Sequence, residues 1–115
     1  MMLANENRIF GSKRIEEVKN SGRIIQSDNF GLAILKRDDN DPSKFAFVIS
    51  TKISKLAVHR NRIKRSMNEG IRRNLRDIPK GYDFVFLTKR SIGGKTTEEI
   101  IEEVGNFFSR LNLNL

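Results

Sequence analysis

The chain has 115 residues, with 22 Lys and Arg against 14 Asp and Glu, one His and no Cys, and a formal net charge of +8. That length suits a single domain over residues 1–115, the absence of Cys excludes disulfide scaffolds, thiol catalysis and Cys-ligated zinc, and the lone His59 excludes a His-cluster metal site. No apolar run approaches the ~20 residues of a membrane span, and the start Met1-Met2-Leu3-Ala4-Asn5-Glu6 lacks signal-peptide regions, so a cytoplasmic protein with a polyanionic partner is expected.

Ser12 is predicted to cap a short helix to about Asn20, with Ile15 and Val18 inward and Gly22 as its stop. Residues 23–37 read as extended, Phe30, Leu32 and Ile34 alternating with Gly31, Ala33 and Leu35. Asp38-Asp39-Asn40-Asp41-Pro42 reads as a turn, because Asp and Asn bond their own backbone and Pro cannot continue a strand. Its three carboxylates are read as turn chemistry rather than a divalent-ion site. Residues 45–51 form a second strand, with Phe45, Phe47, Ile49 and Thr51 on one face and Ala46, Val48 and Ser50 on the other. The two strands and their turn predict an antiparallel hairpin. Its bulky face should bury against helices. The opposite face, Gly31, Ala33, Ala46, Val48 and Ser50 continued by Lys52, is small. It is either a groove for a ligand or the ordinary exposed side of an antiparallel sheet.

From about Leu56 to Arg76 the pattern is helical, with Ile63, Met67, Ile71 and Leu75 in one stripe and Leu56 on the same side. Asn61, Arg65, Arg72 and Arg76 lie opposite, Arg62 and Arg73 widen the basic arc, and Lys64 and Arg60 border the stripe. Tyr82 to Lys89 is a third strand, apolar on both faces and so predicted to be covered or central. Ser91 to Lys95 reads as a flexible connection. Thr96 and Glu99 have capping-box spacing for a last helix, whose buried side is Ile100, Ile101, Val104, Phe107, Phe108 and Leu111. The order predicts an α+β sandwich.

The charge is concentrated. Residues 51–90 hold 12 Lys and Arg against three acids, a net +9, and the other 75 residues sum to −1. Such a segment marks a docking face rather than general solubility. No catalytic constellation accompanies it. His59 beside Arg60 suits a surface or RNA contact more than a general base, and Gly93-Gly94-Lys95-Thr96 lacks the first glycine of a phosphate loop. Clustered Arg and Lys neutralise phosphates, and Asn61 adds hydrogen bonds to bases or sugars.

The run Arg60-Asn61-Arg62-Ile63-Lys64-Arg65, continued by Arg72-Arg73, resembles the RNR motif of the bacterial ribonuclease P protein family. Upstream, Phe47-Val48-Ile49-Ser50-Thr51-Lys52 resembles that family's strand ending in Ser-Lys-Lys, with Thr51 replacing the first Lys. Ala57 stands where the family has a small residue. Downstream, Gly81-Tyr82-Asp83-Phe84-Val85 and then Lys89-Arg90 resemble its last strand and basic exit. The likeness runs over nearly the whole chain.

The resemblance implies a sandwich like the second domain of ribosomal protein S5, in the order α-β-β-β-α-β-α, with a left-handed crossover through the basic helix. It implies a subunit of an endoribonuclease that removes the 5′ leader from precursor tRNA. The RNA subunit cuts, using Mg²⁺ to position the attacking water, so this chain carries no catalytic residue and no metal of its own. The implied partners are the ribonuclease P RNA and precursor tRNA, with no membrane and no obligate protein partner. By position, Arg60, Asn61, Arg62, Lys64, Arg65, Arg72, Arg73 and Lys52 take the role of holding the RNA subunit, with Lys55, Arg76, Lys89 and Arg90 as further basic contacts. A leader cleft between the first helix and the sheet falls to Ile15, Lys19, Gly31, Ala33, Ala46, Val48 and Ser50. The family has aromatics in this cleft where Ile15, Lys19 and Ala33 stand here, which weakens stacking on leader bases. The competing readings are a ribosomal or ribosome-assembly RNA-binding protein and a duplex-DNA-binding helix.

Overall fold

The computed structural model describes residues 5–9 and 11–111; the first four residues, part of the segment read for a signal peptide, lie outside that range. Three helices pack on a four-stranded sheet. In chain order they are α1 (Ser12–Ser21), β1 (Arg23–Gln26), β2 (Phe30–Lys36), β3 (Lys44–Val48), α2 (Ala57–Asn74), β4 (Tyr82–Thr88) and α3 (Thr97–Arg110). The predicted α-β-β-β-α-β-α order holds.

The sheet order is β1-β2-β4-β3, with β1–β2 and β2–β4 antiparallel and β3–β4 parallel. The predicted hairpin between β2 and β3 is therefore incorrect. β4 lies between them, its Phe84 opposite Ile34 on one side and Phe45 on the other. The turn residues explain why. Arg37 N–H donates to the Gly81 carbonyl (2.8 Å) and Gly81 N–H to the Asp41 carbonyl (2.9 Å), so the 38–42 turn closes around the start of β4. Gly81 is required there: its φ is +86°, and a Cβ would sit 2.5 Å from the Asp39 carbonyl oxygen. The hairpin that does form is β1–β2. β4, apolar on both faces, takes the central position expected of it, and β3 stops at Val48 rather than Thr51.

The two faces of the sheet separate as their side-chain sizes predict. Phe30, Leu32, Ile34, Phe45, Phe84 and Phe86 bury against Ile63, Met67 and Ile71 of α2 and Ile100, Val104 and Phe107 of α3. Phe45 stacks on Phe84 at 5.1 Å and Phe47 on Phe86 at 5.3 Å, so aromatic pairs tie the parallel strands together. On the other face Val18 of α1 covers Ala33, Ala46 and Val85.

Several local expectations change. Ser12 is the first helical residue, not the cap; Gly11 is the cap and supplies no side-chain bond. Gly22 ends α1 as predicted, through close approach: a Cβ would lie 2.4 Å from the Val18 oxygen and 2.8 Å from that of Ile34. Leu56 is 65% exposed rather than on the buried stripe, because α2 begins after it. The 91–95 connection is a 3₁₀ turn, Arg90–Gly94, with Ile92 fully buried. The capping box of Thr96 and Glu99 is present in both directions, and it holds the Glu99 carboxyl below its ordinary pKa.

Candidate nucleic-acid interface

α2 crosses the bulky face of the sheet with Ile63, Met67 and Ile71 fully buried, which turns Asn61, Arg65, Arg72 and Arg76 to solvent. Helical periodicity alone sets this division. The structure brings the predicted RNR residues onto one helix, but it separates them by what their charges already touch.

Four of the cations are engaged within the protein. Arg60 donates to the Ser54 carbonyl (2.8 Å) and so braces the loop that carries Lys52 and Lys55. Arg62 donates to the Lys95 carbonyl (3.0 Å) and the Thr97 hydroxyl (3.3 Å) and lies 3.1 Å from His59 Nε2, fastening α2 to the start of α3. Arg72 and Arg73 both grip Glu69, at 2.6 and 2.9 Å. Those two guanidiniums, Arg72 first, lower the Glu69 pKa to about 2, so the carboxylate is charged beside them at neutral pH. Outside α2, Lys89 Nζ donates to the Ser27 carbonyl (2.7 Å), which commits it to the β1–β2 turn.

The others are unengaged. Among the described residues, Lys52, Lys55, Asn61, Lys64, Arg65, Arg76 and Arg90 make no side-chain hydrogen bond or ion pair, and all but Lys64 are well exposed. Lys52 and Lys55 project from the loop between β3 and α2. The Arg90–Gly94 turn packs against that loop, with Gly93 close to the Ile53 carbonyl and to His59. The free cations thus include residues of the two connections that follow β3 and β4 and meet beside His59 in the first turn of α2.

The predicted cleft residues divide as well. Ala33 is fully buried beneath α1, and Gly31 lies under the Gln26 side chain, whose Oε1 would be 3.0 Å from an added Cβ. The small face is therefore covered there rather than open, because α1 needs exactly such shallow residues to dock. Lys19 pairs with Glu16 on its own helix (3.3 Å). Val48 is half-buried and Ser50 exposed at the end of β3. Ile15 and Ala46 do line an open space, a cleft of about 140 Å³ with Arg8, Ile9, Phe45, Phe47, Lys64 and Asn68, at the outer edge of β3.

α1 is oriented over the sheet by a charge that sequence reasoning passed over. Asp83 on β4 is 2% exposed, and its carboxylate takes Arg14 of α1 at 2.7 Å and Arg37 at 2.5 Å. Both guanidiniums have raised pKa values, with hydrogen bonds to Glu17 and Asp39 the leading causes and Asp83 contributing to each. An acid in an otherwise apolar strand was the available signal. Among the described residues no group of three or more His, Asp or Glu is placed to hold a metal ion, and no helix is long and apolar enough to cross a membrane.

Comparison with known proteins adds to this geometry. The family model described as Ribonuclease P matches residues 3–112. The ribonuclease P protein component of Pseudomonas syringae pv. tomato is 34% identical over 80 residues, covering 70% of this chain and 59% of that one. The Clostridium acetobutylicum component is 28% identical over 109 residues, covering 94% and 91%. The ribonuclease P protein structure from Thermotoga maritima superposes with a TM-score of 0.80 at 24% identity, covering 91% of this chain and 97% of that one. The match thus spans about three fifths of the Pseudomonas relatives, 59% and 62%, and nearly all of the clostridial one.

Proposed function

The chain belongs to the ribonuclease P protein family, and we propose that it is the protein subunit of a ribonuclease P, holding the RNA subunit and the 5′ leader of precursor tRNA while the RNA cuts. The observation that carries this reading is the set of unengaged cations around the first turns of α2: Lys52, Lys55, Lys64 and Arg65, with Asn61 among them. Cations with no internal partner need surrender nothing to bind phosphate, and each contact releases counterions. Asn61 supplies a donor and an acceptor that can reach sugars or bases. Arg60 and Arg62 set the loop and helix that display these groups, and Arg72, Arg73, Arg76 and Arg90 extend the positive surface.

Divalent ions, Mg²⁺ among them, supply a positioned water for phosphodiester cleavage; in this reading the RNA holds them and the chain lowers the concentration required. We place the protein in the cytoplasm, with no obligate protein partner. The test is reconstitution with a bacterial ribonuclease P RNA at low Mg²⁺. The protein alone is expected not to cleave precursor tRNA and to restore cleavage when added to the RNA. No restoration, or co-purification with ribosomal particles instead of that RNA, would overturn the proposal.

A further inference from the structure

β1 is an edge strand, with β2 as its only neighbour among the described strands. Ser27 N–H donates to the Phe30 carbonyl (2.7 Å), and antiparallel bonding alternates from that pair. The peptide groups of Arg23 and Ile25 therefore face β2. Those of Ile24 and Gln26 face outward, where no described group meets them. A bare row of N–H and C=O groups recruits another strand, so proteins blunt such edges with Lys, Pro or a bulge. β1 has Arg23 at its start but no Pro and no bulge, and Ile24 is 46% exposed.

The surface beside this edge is apolar in part and carries opposite charges toward its two ends. A groove of about 460 Å³ is lined by Ile25, Phe107 and Leu111, with Arg23 and Arg110. Gln26 and Arg110 also line the next groove, of about 760 Å³, whose walls carry Asp28, Glu99 and Glu102. Net charge selects this side of the molecule as well. Residues 23–28 and 97–111 hold two Arg and five carboxylates, against the +9 of residues 51–90. Two copies meeting through α2 would press free cations together, whereas two meeting through β1 do so where acids are in excess.

We propose that the β1 edge binds a second copy of this chain, antiparallel about a two-fold axis, so that two four-stranded sheets join into one. The register that uses every outward-facing peptide group of both strands pairs Ile24 with Gln26 of the other copy and centres on Ile25. It sets Arg23 opposite Ser27 of the other copy, beside that copy's Asp28, and does so twice in one interface. A two-fold contact must be self-complementary. A strand with a cation at its start and an acid just past its end meets that condition. The contact is short, four strand residues a side, so the association is reversible rather than obligate. It lies at the opposite edge of the sheet from β3, whose following loop carries Lys52 and Lys55, and so neither needs nor blocks the RNA-binding function proposed above.

Sedimentation of the full chain from about 1 to about 300 μM, at one salt concentration, is expected to show a reversible monomer–dimer equilibrium. Arg23→Asp and Asp28→Arg each turn two attractions across the axis into two repulsions, and each alone should weaken the dimer about tenfold. Mixed together, the two variants should form a heterodimer about as tight as the unaltered dimer, because both cross-axis pairs are then restored. The chain has no Cys, so a single Ile25→Cys provides a test of register. Residues directly opposed outside the hydrogen-bonded pairs sit about 4.5 Å apart at Cα, within disulfide reach, so this variant should cross-link two copies under oxidised glutathione. Ile24→Cys, two residues out of register with its own copy, should not. A chain that stays monomeric across the range, a mixture no tighter than its components, or cross-linking at Ile24 in preference to Ile25 would overturn the proposal.

Discussion

At the scale of single residues, the basic helix holds two kinds of arginine. Arg65 makes no hydrogen bond or ion pair among the described residues, whereas Arg62 bonds the Lys95 carbonyl and Thr97. Arg65→Ala should therefore leave the unfolding midpoint unchanged and lower the slope of log affinity against log salt by roughly one contact. Arg62→Ala should cost about 1–2 kcal/mol of stability as well, because the carbonyl it serves loses its donor. Calorimetry and salt titration of both variants separate the two roles. Glu69 makes a third case. Held between Arg72 and Arg73, it occupies the charges that RNA phosphates would use. Glu69→Gln is expected to tighten RNA binding roughly two- to fivefold and to steepen its salt dependence. Because its folded pKa is about 2 against an ordinary 4.5, the ion pairs are intact above the ordinary value and are lost as pH falls through the folded one. Protonation of Glu69 thus cannot mimic the substitution near neutrality; an affinity in the unaltered chain that rose on mild acidification through this residue would contradict the geometry.

At the scale of elements, the position of α2 depends on how closely it meets α3. Gly70 faces Val104, whose Cβ would lie 2.8 Å from a Cβ on Gly70. Alanine favours a helix by about 1 kcal/mol over glycine, yet Gly70→Ala should destabilise by roughly 1–3 kcal/mol, because overpacking outweighs propensity. Denaturant unfolding decides the sign. The same contrast between local and tertiary causes shows what the sequence reveals. The stripe Ile63, Met67 and Ile71, the capping box at Thr96 and the small and bulky faces of β2 and β3 are written in spacing, and each lies where spacing puts it. The order of the strands is not, since nothing in residues 30–48 announces that a strand from residues 82–88 will lie between them. The RNR residues were legible as a cationic face, but not the carbonyls that claim Arg60 and Arg62, which come from other elements.

At the scale of the whole molecule, charge is segregated. The +9 segment covers α2 and its flanks, while Glu98, Glu99, Glu102 and Glu103 line the first turns of α3. Repulsion among the free cations opposes the folded state, and any anion that prefers the folded face adds stability by linkage, ~2.7 kcal/mol at a hundredfold excess over its Kd. Sulfate is expected to raise the unfolding midpoint in a concentration-dependent way and sodium chloride at equal ionic strength to raise it less; equal midpoints would show that the cations are not close enough to share an ion. The parallel pairing of β3 with β4 carries this further, into the order in which the chain is made. α2 is synthesised before Tyr82–Thr88, so a growing chain holds a complete cationic helix while β2 and β3 still lack the strand that joins them. Pairing segments so distant in sequence is slow, and the nascent helix spends that interval without its apolar floor and with Glu69 as the one acid among its cations. A polyanion that meets it then screens the helix as it settles, so an RNA of the kind proposed for the finished surface is expected to aid its folding as well.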